Sequence, residues 1–335
     1  MDVLNLPSAH AGRQLLSLVV PVFNEQEVLP EFHRRLAGVL DALATDIDAE
    51  IVYINDGSTD ATMRLLVDIH ECDERVSVVD LSRNFGKEIS MSAGFDHTHG
   101  DAVVVIDSDL QDPPELIPDM LKAWRAGSDV VLMRRANRAN ESYLKKATAR
   151  AFYLAIGRIG SIAIPADVGD FRLMSRRAVA ALLRLPERSR FMKGLYAWIG
   201  FPTVEIVYDR DGRFAGESKW SYWRLWNFAL EGITSFSVVP LKVASYVGFA
   251  TALLAFVYGA FVIGKTLLFG DVVRGYPTLI VVVLFLGGLQ LMALGIIGEY
   301  LARMFIEVKG RPLYLVQNHL PSTRSLTPSA PTPAP

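Results

Sequence analysis

The sequence is poor in several things, and each shortage removes a class of protein. One cysteine, Cys72, among 335 residues leaves no intramolecular disulfide framework and no multi-cysteine zinc site. A net charge of only −2 gives nucleic acid no electrostatic reason to bind. There is no P-loop and no Gly-x-Gly-x-x-Gly, which argues against kinase, ATPase and dehydrogenase readings. No internal repeat is present. Charge itself is missing from one region. Residues 243–297 hold only Lys265, Asp271 and Arg274, so the other 280 residues carry 67 of the 70 charges, or 24%. That remainder matches the ~25% of an ordinary globular protein. At ~150 residues per domain the length suits about two units, and the composition describes a soluble domain joined to a membrane segment.

Residues 243–264 and 276–297 are each 22 long without a charged side chain. A helix of that length spans ~33 Å against a hydrocarbon core of ~30 Å. Two such runs around a connector at 269–275 read as a transmembrane hairpin, since soluble helices rarely go so far without a polar face. Lys219, Arg224 and Lys242 precede it, and Arg303, Lys309 and Arg311 follow it. Positive-inside bias then puts both termini and the large N-terminal domain in the cytoplasm. The apolar run 15–23 enters Asn24 and Glu25 directly and lacks a cleavage site, so it reads as a buried strand and not as a signal peptide. The Pro/Ser/Thr-rich end, 321–335, reads as a disordered tail.

Between Leu15 and Met133, β-rich runs (16–22, 50–55, 76–81, 102–106, 130–133) alternate with helical patterns beginning near Glu27, Asp60, Lys87 and Pro114. Such alternation implies an α/β fold with a mostly parallel sheet covered on both faces. Ligands of such sheets sit beyond the carboxyl ends of the strands. Every run here ends in a polar cluster: Asn24-Glu25, Asp56-Gly57-Ser58, Ser82-Arg83-Asn84, Asp107-Ser108-Asp109 and Arg134-Arg135. Five clusters at one edge describe a site.

The sharpest of them is Asp107-Ser108-Asp109. Two carboxylates two residues apart at a strand end suit a hard divalent ion that also binds phosphate oxygens, Mg²⁺ or Mn²⁺. Pro113-Pro114 then stops the strand and opens a helix. Pro21-Val22-Phe23-Asn24-Glu25, Asn55-Asp56-Gly57-Ser58-Thr59-Asp60, Asp107-Ser108-Asp109 and Asp112-Pro113-Pro114-Glu115, in this order and spacing, resemble the family 2 glycosyltransferases with a GT-A fold. With Gly169-Asp170-Phe171-Arg172, Glu217-Ser218-Lys219-Trp220 and the hairpin, the chain looks like a polyprenyl-phosphate glycosyltransferase of the GtrB and dolichol-phosphate mannosyltransferase type, over roughly residues 15–318.

That resemblance implies a division into an N-terminal extension (1–14), a Rossmann-like GT-A catalytic domain (15–212) and an interfacial amphipathic segment (213–240). Two transmembrane helices within 241–305 (about 243–266 and 276–299), a cytoplasmic segment (306–320) and the tail follow. It implies that Pro21, Phe23, Glu25, Asp56, Lys87 and Asp107 hold the nucleotide sugar, that Asp107, Asp109 and Gln111 hold the metal, and that Arg83 lies near donor phosphate. Asp170 matches the family's catalytic base, with Asp109 beside it in the chemistry. A phosphate-monoester acceptor is already largely a dianion at pH 7, so Asp170 is asked to orient the nucleophile more than to deprotonate it. Arg135, Lys146, Arg172 and Lys219 are the cations implied for acceptor phosphate.

The implied reaction is inverting transfer of a sugar, with UDP-glucose the preferred donor, to undecaprenyl phosphate in the bacterial cytoplasmic membrane. A GDP-mannose donor is the alternative. A processive polysaccharide synthase would need a Gln-x-x-Arg-Trp motif, and none of the five glutamines begins one. A non-catalytic scaffold has no use for an Asp-x-Asp beside a basic cluster. The segment 220–236, with three of the five tryptophans, reads as a helix at head-group depth. Gly248-x-x-x-Ala252 and Ala260-x-x-x-Gly264 allow close helix packing within or between subunits, so a homo-oligomer is expected. His97 and His99 read as a helix terminus and not as metal ligands.

Overall fold

A computed structural model describes residues 13–135, 168–188, 190–208, 239–269 and 275–323. Lys146, Lys219, the segment 220–236, the connector at 270–274 and most of the tail lie outside the described residues.

Alternation begins with strand β1 (Leu15–Val22), helix α1 (Leu29–Leu43), β2 (Asp48–Asn55), α2 (Thr62–Cys72), β3 (Val76–Leu81), α3 (Lys87–Asp96) and β4 (Ala102–Val105). A 3₁₀ turn at Pro114–Leu116 leads into α4 (Ile117–Arg125) and β5 (Val130–Arg135). Then come β6 (Val168–Ser175), α5 (Arg176–Leu183), α6 (Met192–Trp198), β7 (Thr203–Tyr208), α7 (Val239–Phe269), α8 (Tyr276–Lys309) and β8 (Val316–Leu320). The five strands and four helices expected before residue 135 are all present.

Among the described residues the strands form one sheet in the order β7-β5-β6-β4-β1-β2-β3-β8. Only β6 and β8 run against the rest. Strand side chains alternate in direction, so the continuous apolar runs feed two cores. Leu16, Leu18, Val20, Val104 and Phe171 join α1, α2 and α4 on one face. Val19, Val103, Val105 and Met174 join α3, α5 and α6 on the other. Helix α1 shows why its residues sit where they do: Phe32, Leu36 and Leu40 recur every four residues and are buried, while Pro30 occupies the first turn, where its missing N–H costs nothing.

Three strands differ from the sequence-based expectation. β6 and β7 follow the last expected strand, and β8 lies in the stretch expected to be a plain C-terminal segment. β8 returns after α8 to pair antiparallel with β3, matching Val79 with His319 and Asp80 with Asn318. Tyr314 Oη donates to Asp96 at 2.8 Å, and Ser77 meets His319 at 3.2 Å. The segment that leaves α8 is thereby stitched to the sheet.

Helices α7 and α8 have 31 and 34 residues, about 46 and 51 Å at 1.5 Å per residue, and pack against one another. Both are longer than expected. Phe249, Leu254, Phe256 and Leu291 are each more than 70% exposed. Of the described residues, Phe285–Lys309 is the one stretch long and apolar enough to cross a membrane.

Candidate active site at the carboxyl edge of the sheet

The loops after β1 and β2 are laced together. Asn24 adopts φ 54°, a left-handed geometry that asparagine tolerates. Its N–H donates to Ser58 Oγ at 3.0 Å, and its Oδ1 accepts from Thr59 N–H at 2.8 Å. Glu25 N–H donates to Thr62 Oγ1 at 2.9 Å, and the Glu25 carbonyl accepts from Val28 and Leu29 at the head of α1. Pro21 closes β1 opposite Ile54. Phe23 is 41% exposed, so its ring is not core and stands as an open apolar surface at the sheet edge.

Asp56 is 3% exposed. Its carboxylate accepts from Phe85 N–H at 2.7 Å and Gly86 N–H at 3.0 Å. Those amides begin the turn into α3, whose first residue is Lys87. Asp56 therefore anchors the loop that carries Lys87. Gly57, at φ +65°, makes this possible: a Cβ there would lie 2.5 Å from Arg83 C and 2.6 Å from Asn84 N. Arg83 itself is exposed, stacked 4.0 Å over the Phe85 ring.

Register brings the reactive carboxylates together. β4 pairs antiparallel with β6, Val105 opposite Arg172. Two residues further along, the same ladder direction sets 107 opposite 170, both on the α3 face. Lys87 Nζ reaches from the start of α3 to Asp107 at 2.6 Å and to Asp170 Oδ2 at 2.6 Å. Burial of the ammonium works against its charge, but Asp107 and then Asp170 outweigh it and hold Lys87 above the ordinary lysine range. For Asp107, burial is the largest influence and raises the carboxyl; Lys87 opposes it, and Asp170 adds to the rise. Burial raises Asp170 too, yet Lys87 and then Lys193 hold it well below the usual carboxylate range. Among the described residues its buried Oδ1 has no hydrogen-bond partner.

Asp109 is partly exposed and accepts from Gln111 N–H at 3.1 Å. Between them Leu110 sits at φ 58°, a strained conformation for a residue of that size. Asp112 is fully buried beneath this loop and accepts from Tyr208 Oη, which Arg135 also bonds. Arg135 lies against Gly169, 3.1 Å from where a Cβ would be, and its buried Nε has no partner among the described residues. It thus stands at the rim, on the face opposite Asp170.

Arg172 is 3% exposed. It donates to the carbonyls of Gly169 at 2.7 Å and Asp170 at 3.4 Å and stacks 3.7 Å over the Tyr196 ring. Burial lowers its pKa. This guanidinium braces the Asp170 strand end before it serves any ligand.

Two charged groups near Asp170 are not marked by the sequence pattern. Glu88 accepts from Met192 N–H at 2.9 Å, and burial followed by the charge of Asp170 pushes its carboxyl up to about 7. Lys193 lies in the field of Asp170 and Glu88, with burial lowering its pKa. Neither stands in a polar cluster at a strand end, so only the packing of α6 on α3 reveals them.

Among the described residues no three carboxylate, histidine or thiol ligands converge. Asp107 and Asp109 are hard oxygen donors on one short loop, a set that suits an ion completing its shell with phosphate and water. The arrangement holds Asp170 ionised and gathers Asp107, Asp109 and Lys87 at one rim.

Comparison with known proteins gives this arrangement relatives. The profile described as Glycosyl transferase family 2 matches residues 17–183, and that described as GtrB C-terminal hairpin matches 239–304. An uncharacterized glycosyltransferase of Synechocystis is 51% identical over 90% of this chain and 95% of its own. A prophage-derived bactoprenol glucosyl transferase of Shigella flexneri is 49% identical over 90% and 97%. A bactoprenol glucosyl transferase homologue of Escherichia coli K12 is 47% identical over 90% and 98%.

Proposed function

The chain belongs to glycosyl transferase family 2 and carries a GtrB C-terminal hairpin, and from that premise we propose that it moves glucose from UDP-glucose to polyprenyl phosphate. Catalysis would occur at the cytoplasmic face of the membrane, with α7 and α8 as two spans. It is a glycosyltransferase; the acceptor and sugar follow from relatives named bactoprenol glucosyl transferase. The observation that carries the reading is the bridge Asp107–Lys87–Asp170 beside Asp109 at one rim.

In this reaction an acceptor phosphate oxygen forms a bond to C1 of glucose on the face opposite the bond that breaks. The C1–O bond to the diphosphate yields its electron pair to UDP, and the product is polyprenyl-phosphate-glucose. Asp109 and Asp107, with Gln111 beside them, would hold Mg²⁺ or Mn²⁺. When bound, such an ion supplies charge stabilisation to the leaving diphosphate. Phe23 offers a face for the base, with Pro21 and Glu25 beside it. Asp56 acts through the 85–86 turn, and Lys87 presents its ammonium where donor phosphate charge gathers. Asp170, held ionised, is a weak base and a good aligner, which fits an acceptor that arrives as a dianion. Arg135, Lys146, Arg172 and Lys219 remain the proposed phosphate cations, Arg172 through its grip on the Asp170 strand end.

The catalytic domain 15–212, the interfacial segment 213–240 and the two spans within 241–305 would set the site at head-group depth. Proximity to the bilayer then supplies the acceptor at high local concentration. The small-residue stripes in the first span support a homo-oligomer.

Membranes holding the protein, given radiolabelled UDP-glucose and undecaprenyl phosphate, should yield a lipid-extractable glucosyl product, and GDP-mannose should yield none. Asp109→Asn should abolish transfer while membrane insertion persists. Turnover by Asp109→Asn near that of the wild type would overturn the metal role, and faster transfer from GDP-mannose would overturn the donor.

A further inference from the structure

A cavity of about 320 Å³ opens on the α6 face of the sheet, lined by Arg172, Lys193 and Tyr196, by apolar Leu132 and Phe201, and on the β7 side by Thr203 and Glu205. Its position relative to Asp170 is set by strand order. β6 lies between β4 and β5, and Val168, Asp170 and Arg172 alternate onto one face. Asp107 and Lys87 flank Asp170 on the β4 side. The cavity, floored by β5 and β7, flanks it on the other.

Its two cations are unequal. Arg172 is committed to the Gly169 and Asp170 carbonyls and to the Tyr196 ring. Lys193 carries a compact ammonium on a flexible stem, close enough to Asp170 to hold that carboxyl down. Glu88 fixes where Lys193 stands: its Oε2 accepts the N–H of Met192, the residue before it, at 2.9 Å. Since Met192 is fully buried, the start of α6 has little freedom once that bond is made.

We propose that Lys193 binds the phosphate of the acceptor on the β5 side of Asp170, with the apolar wall of the cavity taking the first part of a prenyl chain, and that Glu88 is the positioning residue for Lys193. This deepens the proposed function and rests on it for the identity of the acceptor. The shared chemistry is phosphate, which the donor also carries. The apolar stretch of Leu132, Val168 and Phe201 favours the acceptor, because a prenyl chain removes that surface from water and a sugar nucleotide, with few apolar atoms, does not.

The test uses the full-length protein in detergent, with geranyl phosphate, inorganic phosphate and UDP plus Mn²⁺ titrated separately by calorimetry. One charge-assisted hydrogen bond corresponds to about 10–100-fold in affinity. Lys193→Met should weaken geranyl phosphate by about that factor and leave UDP affinity unchanged, and Lys193→Arg should recover most of the loss. Glu88→Ala should behave like Lys193→Met and add nothing to it in the double variant, whereas Glu88→Gln, which keeps the acceptor for Met192 N–H, should restore binding. Unaltered geranyl phosphate binding by Lys193→Met, or an equal loss of UDP, would overturn the proposal. So would inorganic phosphate binding as tightly as geranyl phosphate, since the apolar wall would then be idle. If binding depends on Lys193 but the wild type transfers no glucose, the donor assignment fails and the site stands.

Discussion

Replacing Gly57 by alanine isolates how the site is assembled. At φ +65° a residue with a side chain is strained by about 1–2 kcal/mol. The new Cβ would also lie 2.5 Å from Arg83 C and 2.8 Å from Arg83 Cα, atoms of a backbone that cannot rotate away. The loop 82–86 must retreat, and with it the Phe85 and Gly86 amides that Asp56 accepts at 2.7 and 3.0 Å. Losing one charge-assisted bond costs about 1.5–3 kcal/mol. The total, about 2.5–5 kcal/mol, corresponds to a Tm fall of about 5–20 °C for a domain of this size. Lys87, next in the chain, moves off Asp107 and Asp170, so UDP affinity should fall as well. Gly127 serves as the control: it has φ +106° but nothing within 4 Å of its Cβ position, so its alanine variant carries only backbone strain of about 1–3 kcal/mol and should bind UDP normally. Thermal unfolding and calorimetry with UDP on both variants decide the matter. Gly57→Ala with wild-type UDP affinity would refute the view that the Asp56–Gly57 turn builds the Lys87 loop.

Asp170→Asn should lower kcat by at least ~100-fold with UDP affinity preserved; parallel loss of both would move Asp170 to the donor side. Glu88, raised from 4.5 to about 7, binds its proton more tightly in the folded chain. Its contribution is therefore complete below its unfolded value and lost as pH rises through about 7. Glu88→Gln stays neutral, so its Tm should gain on the wild type between pH ~5 and ~8; a difference that does not move with pH refutes the assignment. Ending the chain at Pro312 removes β8 and bares the β3 edge, which invites edge-to-edge association. Gel filtration should show aggregates, and a wild-type elution profile would show that β8 is dispensable.

The first half of the fold was legible because its signals are local. Each of β1 to β5 is a short β-branched run closed by a polar cluster, and Lys87 and Pro114 open helical elements where the pattern places them. β8 was not legible, because VQNHL has no apolar alternation to mark a strand. Its pairing depends on a β3 edge more than two hundred residues earlier. β7, exposed on alternate residues, reads as a strand only once β5 is beside it. Site residues divide in the same way. Asp107, Asp109 and Lys87 follow strand ends and could be named from sequence. Glu88 and Lys193 depend on α6 lying against α3, which no spacing encodes. Phe23, named from sequence as a nucleotide contact, stands open at the sheet edge, while the Asp56 carboxylate is shut against the 85–86 backbone.

Strand direction explains why the reactive groups meet at all. In a wholly parallel sheet, every strand would deliver its last residue to the carboxyl edge, and Asp170, third in β6, would sit at the opposite end. Because β6 runs against β4, its beginning arrives at that edge, and the Val105–Arg172 pairing leaves Asp107 and Asp170 level. Two carboxylates so placed repel one another. Lys87 between them, at 2.6 Å from each, converts that repulsion into a bridge. The same reversal gives Asp170 two flanks. The β4 flank carries the Asp-x-Asp loop, and the β5 flank opens to the cavity under Lys193. A transferase with two anionic substrates needs them to approach one carbon from opposite sides. One antiparallel strand in an otherwise parallel neighbourhood supplies that arrangement.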